Sequence, residues 1–157
     1  QPGSGTTFTI RLPFTLAIMK ALLFRVCGER YAIPASIIDR SVKIPRANIV
    51  KTAGQEAAVL DEAEVPLIRI IDSFYPDGPR PDDADKKVDS AGDILAVVVS
   101  AGQERLGLVV DEVVEAADMI IRPVPEVLKS NPAFSGVTIL GDGLSALILN
   151  PRGIVRI

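Results

Sequence analysis

The sequence predicts an all-β protein built from small barrels or sandwiches, and three observations support this prediction. Short apolar segments alternate with turn residues along most of the chain, at the spacing typical of such folds. A segment rich in Pro, Gly and Asp at 76–93 separates two groups of these segments. Short patterns that precede this segment recur after it in the same order, which indicates a duplicated unit.

The first strand is predicted at residues 5–13, where apolar and polar side chains alternate with a period of two. Phe8, Ile10 and Leu12 share one face of this half-buried strand. Residues 15–21 have good helix propensity but would also fit a buried strand, so we interpret them as a connector. Further strands before residue 76 are predicted at Leu22–Val26, Tyr31–Ile33, Val42–Ile44, Ala57–Leu60 and Val65–Ile71.

The segment at 76–93 contains almost nothing that could be buried, so we predict a mobile loop there. Gly141–Asp142–Gly143 predicts a tight hairpin turn near the end of the chain, because glycine tolerates the positive φ that such turns require. Strands after the loop are predicted at Ile94–Val99, Arg105–Val110, Val113–Ala117, Met119–Val124, Val137–Leu140 and Ala146–Leu149.

Two sequence echoes carry the prediction of a duplication. Residues 29–33 (ERYAI) are echoed at 104–108 (ERLGL), and residues 66–68 (PLI) are echoed at 146–148 (ALI). Chance apolar alternation is the alternative explanation. We favour duplication because both echoes keep the same order and a similar register, and we expect two small barrels that share one interface.

The composition excludes several classes of function. The chain has no His and one Cys, which removes a Ser-His-Asp triad, a Cys-His pair, a His-ligated metal site and an intrachain disulfide. The 17 basic residues against 20 acidic ones leave a net charge of −3 with no basic stripe, so nucleic acid is not an expected partner. No apolar stretch is long enough for a membrane helix, and Cys27 fits a small apolar filler in a reducing cytoplasm.

A glycine-containing segment at 3–6 (GSGT) could cradle a phosphate through its backbone N–H groups. It leads into a predicted strand rather than a helix, and it matches neither common nucleotide-binding glycine motif. We therefore do not interpret it as a self-sufficient nucleotide site.

Three acidic clusters are candidates for acid–base catalysis or metal binding, namely Asp61 with Glu62, Asp111 with Glu112, and Asp82, Asp83 and Asp85. Neighbouring residues on a strand point to opposite faces, so neither pair converges on one bond. We interpret the pairs as solvated turn or edge charges. The third cluster lacks the pattern of a calcium-binding loop and is interpreted as a solvated loop.

Aliphatic residues between two prolines, Pro34 and Pro45, form a candidate protein-binding surface. The prolines limit regular pairing, so some of these side chains are expected at the surface. The alternative, that all of them belong to the core, is equally compatible with the sequence. The residues are Ala35, Ile37, Ile38, Val42 and Ile44.

Three stretches of the sequence carry a recognisable pattern. They lie at 22–34 (LLFRVCGERYAIP), at 108–113 (LVVDEV) and at 135–149 (SGVTILGDG running into ALIL). Together they resemble the CheW-like domain of bacterial chemotaxis proteins. Residues 3–18 resemble the closing strand of a GHKL-type ATP-binding domain and its exit into that regulatory domain, in the order found in the chemotaxis histidine kinase CheA. The resemblance therefore assigns residues 1–20 to a remnant of the kinase domain and connector, and 21–157 to a CheW-like regulatory domain. We expect a piece of a longer protein.

The resemblance implies two five-stranded β-barrels with short helical connectors, the first at about 21–75 and the second at about 94–157. It implies a regulatory and scaffolding role, in which the domain docks the coupling protein CheW and the cytoplasmic tips of chemoreceptors at the inner face of the membrane. No catalytic residue, cofactor or metal is expected in this chain, although the parent kinase would use ATP. The isolated piece is expected to be a cytoplasmic monomer without direct membrane insertion.

Transferred to this sequence, the family's partner contacts fall on Ala35, Ile38 and Thr52, with Ile37 and Val42 as neighbours. The family often has a larger aliphatic residue at the positions of Ala35 and Thr52, so this contact is expected to bury less apolar area.

The sequence also departs from the family outside these contacts. Asp61–Glu62 replaces a common Arg-Gly turn, Glu115 stands at a usual glycine, and residues 131–134 (NPAF) replace a usual Pro-Gly-Ile. The alternative functions are a freestanding CheW-like coupling protein and, from a different class, a nucleotide-using enzyme fragment that would use residues 3–6.

Overall fold

The strands of the described residues pair into two sheets. The computed structural model describes residues 3, 5, 9, 10, 17–52, 54–74 and 92–155. Short helical turns lie at Ala35–Ile37, Arg46–Asn48 and Glu126–Leu128, and two short α-helices are α1 (Ile70–Phe74) and α2 (Pro151–Ile154). The strands are β1 (Ala17–Val26), β2 (Glu29–Pro34), β3 (Ile38–Ile44), β4 (Ile49–Thr52), β5 (Gln55–Leu60), β6 (Ala63–Arg69), β7 (Ile94–Ala101), β8 (Glu104–Val109), β9 (Glu112–Arg122), β10 (Phe134–Ile139) and β11 (Ser145–Leu149). The predicted all-β class is confirmed, and no helix among the described residues is long and apolar enough to cross a membrane.

One sheet closes into a five-stranded barrel with the order β1-β2-β11-β10-β9, which we call the closed barrel. The other has six strands in the order β3-β7-β8-β6-β5-β4, which we call the open sheet. The expectation of two barrel-like sheets is therefore confirmed, but the open sheet has one strand more than predicted.

The two sheets exchange strands between the halves of the chain. The β1–β2 hairpin completes the closed barrel with β9, β10 and β11, whereas the β7–β8 hairpin lies inside the open sheet with β3 to β6. The predicted division into barrels at 21–75 and 94–157 does not follow the sheets, because each hairpin pairs with strands of the other half. Strand periodicity shows which face of a strand is buried but not which strand pairs with it.

The duplication is visible in this exchange. The echoed segments lie on β2 and β8, which share the same succession of exposed and buried residues. The other echo lies on β6 and β11, and each of these strands runs parallel to an echoed partner, β6 to β8 and β11 to β2.

Several predicted boundaries are corrected. Residues 17–20, predicted as part of a connector, belong to β1, because they pair with β9 from Ala17 opposite Ile121 onward. The segments 113–117 and 119–124 form the single strand β9, which ends at Arg122, while β4 was not predicted. Ile70 and Ile71 lie in α1 rather than in a strand. Most of the predicted strand at 5–13 and of the loop at 76–93 lies outside the described residues.

From Ala21 onward β1 is largely buried on both faces, as is most of β7, which explains the nearly continuous apolar sequences there. In β1, Ala21 and Leu23 line the closed barrel, whereas Phe24 and Val26 pack into a core shared by both sheets. In β7 the same alternation places Ala96 and Val98 inside the open sheet and Val97 and Val99 in the shared core. The two hairpins therefore lie back to back and join the sheets.

An aromatic row runs through this shared core. The ring centroids of Phe24 and Tyr31 lie 6.3 Å apart, those of Tyr31 and Phe74 lie 5.8 Å apart, and those of Phe74 and Phe134 lie 5.0 Å apart. Centroid distances in this range are favourable for aromatic pairs. The row connects β1 and β2 to α1 and β10, so most of the few aromatic residues contribute to the junction.

Candidate partner-binding surface

The candidate surface begins where β2 turns out of the closed barrel and into the open sheet. Pro34, at φ −55° and ψ 127°, precedes the short helical turn Ala35–Ile37, and the N–H of Ile38 donates to the carbonyl of Ala35. Proline favours this extended geometry and cannot donate to a neighbouring strand. The turn therefore redirects the chain and starts β3 at the edge of the other sheet.

The candidate aliphatic residues point mainly toward the interior. Ile37 and Ile38 are partly buried against the shared core, whereas Val42 is partly buried against the interior of the open sheet. Ile44 is fully buried, and Ala35 is half-buried. The sequence left open whether these residues form a surface patch or belong to the core. In the structure, Ile44 belongs to the core and the other four residues are partly accessible.

Thr52 lies on the opposite edge strand of the open sheet. It is exposed and pairs with Gln55 at the end of β4. A flat sheet of six strands would separate its edges by about 24 Å. The link from Ile44 to Ile49 spans at most about 18 Å even when extended, so the sheet must curl and bring its two edges together at residues 45–48. We call the segment 35–52 the docking edge.

An ion-pair network that the sequence did not reveal lies beside the docking edge. Arg105 donates to Asp39 at 2.7 Å and lies 3.6 Å from Asp61, and Arg40 donates to the same Asp61 carboxylate. The hydrogen bond from Arg40 is the main cause that lowers the pKa of Asp61, and the charge of Arg105 adds to it. The partners are far apart in sequence, so only the fold brings them together.

Asp61 and Glu62 form the exposed turn between β5 and β6, in agreement with their interpretation as turn charges. Their φ angles of 50° and 65° lie in the left-handed region that glycine adopts more readily. Asp61 nevertheless orients its carboxylate toward the two arginines of the network, so this turn links the docking edge to β8.

The other predicted acidic pair is also structural. Asp111 accepts a hydrogen bond from the N–H of Cys27 at 2.6 Å, and Glu112 lies 3.7 Å from Arg25. Both contacts tie the start of β9 to the β1–β2 hairpin. The third cluster, at 82–85, lies outside the described residues, as do Ser4 and Thr6 of the glycine segment. Among the described residues, no group of three or more His, Cys, Asp or Glu is arranged to hold a metal.

Two further departures from the family pattern have clear positions. Glu115 is exposed on β9, beside the irregularity where Leu23 and Phe24 change register. Ala133 is fully buried, its N–H donates to the Asn131 side chain, and its carbonyl accepts from the N–H of Asn150. Residues 131–134 therefore fasten β10 to the segment that leads into α2.

An open cleft of about 600 Å³ lies between β4, β5, β6, β8 and the end of α2. Leu67, Leu106 and Ile154 contribute apolar lining, and the rim includes the ion pair of Glu56 with Arg69 at 2.9 Å. Sequence reasoning did not find this cleft, because its walls come from both halves of the chain.

Comparisons with known proteins identify the family. A family model described as the CheW-like domain matches residues 20–157. The chain is 33% identical over 151 residues to a chemotaxis protein CheA of Halobacterium salinarum, covering 95% of this chain and 21% of that protein. It is 31% identical over 158 residues to a chemotaxis protein CheA of Cereibacter sphaeroides, covering 100% of this chain and 22% of that protein. It thus spans about a fifth of the length of these curated relatives.

A solved structure supports the fold. The scaffolding protein TtCheW of Thermoanaerobacter tengcongensis matches with a TM-score of 0.71 at 20% identity, covering 90% of this chain and 94% of that one. Because the family model matches most of the chain, the chain belongs to the CheW-like domain family.

Proposed function

We propose that this chain is the regulatory and scaffolding domain of a chemotaxis histidine kinase, and that it docks a CheW coupling protein and chemoreceptor tips. It carries no part of the kinase reaction, which belongs to other domains of the parent protein. The proposed location is the cytoplasm, at receptor arrays on the inner face of the membrane. ATP is the proposed cofactor of the parent kinase and not of this chain.

The observation that carries this proposal is the extent of the CheA alignments. The family model begins at residue 20, but the alignment with the CheA of Cereibacter sphaeroides covers the whole chain, including the residues before the domain. This supports a kinase regulatory domain over a freestanding coupling protein, because the similarity continues upstream of the CheW-like domain itself.

The docking edge is the proposed CheW contact. It contains the partly accessible Ala35, Ile37, Ile38 and Val42 on one side of the turn at 45–48, and the exposed Thr52 on the other. Partly buried aliphatic side chains beside exposed polar ones resemble the apolar centre and polar rim of transient interfaces. The neighbouring ion-pair network connects the edge to the β5–β6 turn through Arg40 and to β8 through Arg105.

A titration of the chain with the CheW protein of the same organism tests this assignment. Thr52→Arg places a charge on an exposed residue of the docking edge, and we expect it to weaken binding about tenfold or more, because the proposed contact would bury that charge. Val127→Arg is the matched control, because Val127 is 85% exposed on the turn between β9 and β10. We expect it to leave the affinity unchanged.

A second variant is needed because the complex could tolerate an arginine at the exposed position 52. Ile38→Arg is expected to weaken CheW binding more than Thr52→Arg, but Ile38 also packs against the shared core, so its thermal unfolding must be measured alongside. Unchanged affinity for both variants, with both folded, would show that CheW binds elsewhere. Binding or turnover of labelled ATP by the isolated chain would instead favour the nucleotide-using alternative.

A further inference from the structure

A row of isoleucines lies on the outer face of the closed barrel. Ile18 on β1 is 69% exposed, Ile120 on β9 is 44% exposed, and Ile139 on β10 is 50% exposed. Each isoleucine is next in sequence to a residue that points inward. Ile120 follows the buried Met119, Ile139 follows the buried Thr138, and Ile18 precedes the partly buried Met19. The exposure is therefore the regular outward half of a strand alternation.

The strand register places these side chains next to one another. Ile18 is the direct partner of Ile120 in the β1–β9 ladder. Thr138 is paired with Ile121, so one further step in the same antiparallel register places Ile139 beside Ile120. Lys20 and Asp118 are paired at the next outward position and give the row a charged border. An aliphatic row with a polar border is typical of a surface that another protein surface covers.

The position of the row in the chain indicates what covers it. Ile18 is the second residue of β1, so the row lies where the chain enters the barrel. The CheW-like family model begins at residue 20, which means that Ile18 comes from the connecting residues whereas Ile120 and Ile139 belong to the domain proper. A domain that precedes Ala17 in the same chain would be held near the row at high effective concentration.

We infer that the domain preceding Ala17 in the parent kinase docks through an apolar surface on Ile18, Ile120 and Ile139. This inference rests on the proposed function, because it requires that the chain be the regulatory part of a longer kinase. Docking at this row would fix the orientation of that domain against β1 and β9. The proposed CheW contact would then lie mainly on the open sheet, and the domain contact would lie on the closed barrel.

Cysteine accessibility tests the inference. Ile120→Cys is prepared in the 157-residue chain and in the full-length kinase, and its rate of modification by a maleimide is followed peptide by peptide, which separates it from Cys27. We expect modification to be at least about tenfold slower in the full-length kinase, since a docked surface reacts only when it opens. Val127→Cys is the control and should react equally fast in both proteins.

Adding Ile18→Glu to the full-length Ile120→Cys kinase should restore fast modification, because a charge in the row disfavours docking. Equal rates for Ile120→Cys in both proteins would overturn the inference. Slower modification of the isolated chain at rising concentration would also overturn it, because a second copy would then cover the row. Binding of CheW to the same isolated chain is measured in parallel. Absence of that binding would count against the proposed function but not against docking at the isoleucine row.

Discussion

Strand β9 of the closed barrel and the β3–β4 segment of the open sheet occupy equivalent places in the duplicated fold, yet they are built differently. Each follows its hairpin and pairs with the first strand of the other hairpin, β9 with β1 and β3 with β7. β9 runs without interruption over 11 residues and also pairs with β10, which closes the barrel. The equivalent path in the open sheet is broken at residues 45–48 into two strands.

The break has an identifiable cause and consequence. Pro45 has no N–H for a strand ladder, and it leads into the helical turn Arg46–Asn48. β3 and β4 therefore become separate edges, where the closed barrel has one continuous strand. The proposed docking edge lies on this interrupted path, whereas the isoleucine row lies on the closed barrel. In our proposals, partner binding belongs to the interrupted copy, and attachment of the preceding domain belongs to the continuous one.

The largest expected effect tests whether the two sheets unfold as one unit. A Cβ at Gly153 would lie 1.8 Å from the carbonyl oxygen of Pro132, which is backbone and cannot move aside easily. We expect Gly153→Ala to lower the free energy of unfolding by about 3 kcal/mol or more. Because α2 follows β11 of the barrel and also contacts β7 of the open sheet, thermal unfolding should remain a single transition at a lower temperature.

Gly141→Ala is the control, since no atom lies within 4 Å of the added Cβ at that turn. It should leave the melting temperature nearly unchanged. Two separate transitions in Gly153→Ala, one for each sheet, would contradict the shared core.

A smaller effect concerns the interior of the closed barrel. Thr138 is fully buried, and its hydroxyl has no hydrogen-bond partner among the described residues. Replacing the hydroxyl by a methyl group in Thr138→Val should raise the free energy of unfolding by about 1–3 kcal/mol, because an unsatisfied buried polar group is removed. Chemical denaturation measures the change, and Thr138→Ser, which keeps the hydroxyl but loses a methyl, should destabilise. Destabilisation by valine would mean that the hydroxyl is satisfied.

The smallest expected effect concerns the open sheet. The pKa of Asp61 is lowered in the folded protein, chiefly by the hydrogen bond from Arg40. Its stabilising contribution is therefore present above the unfolded value of 3.8 and is lost as the pH falls through the lower folded value. Melting curves of the parent chain and Asp61→Asn should differ slightly at neutral pH and converge in acid. A difference that grows in acid would have the wrong sign for this network.

The sequence predicted the strand class, the duplication and the hairpin at 141–143, because these depend on local alternation and turn residues. It did not predict the exchange of hairpins. The sequences of β1 and β7 show that both strands have apolar residues on two faces, but they do not show which sheet each strand joins. The docking-edge residues stay a prediction that rests on a family resemblance, and the sequence did not show that Ile38 and Val42 point inward on β3. The network around Asp61 depends on contacts between distant residues that no local pattern encodes.

Hydrogen–deuterium exchange of the chain with and without CheW tests the central claim that the interrupted path of the open sheet is the partner-binding region. We expect bound CheW to slow exchange at 35–44 and 49–52, while 17–22 and 116–122 on the closed barrel exchange at the same rate with and without CheW. Slowed exchange confined to the closed-barrel segments, with the docking edge unaffected, would contradict this account.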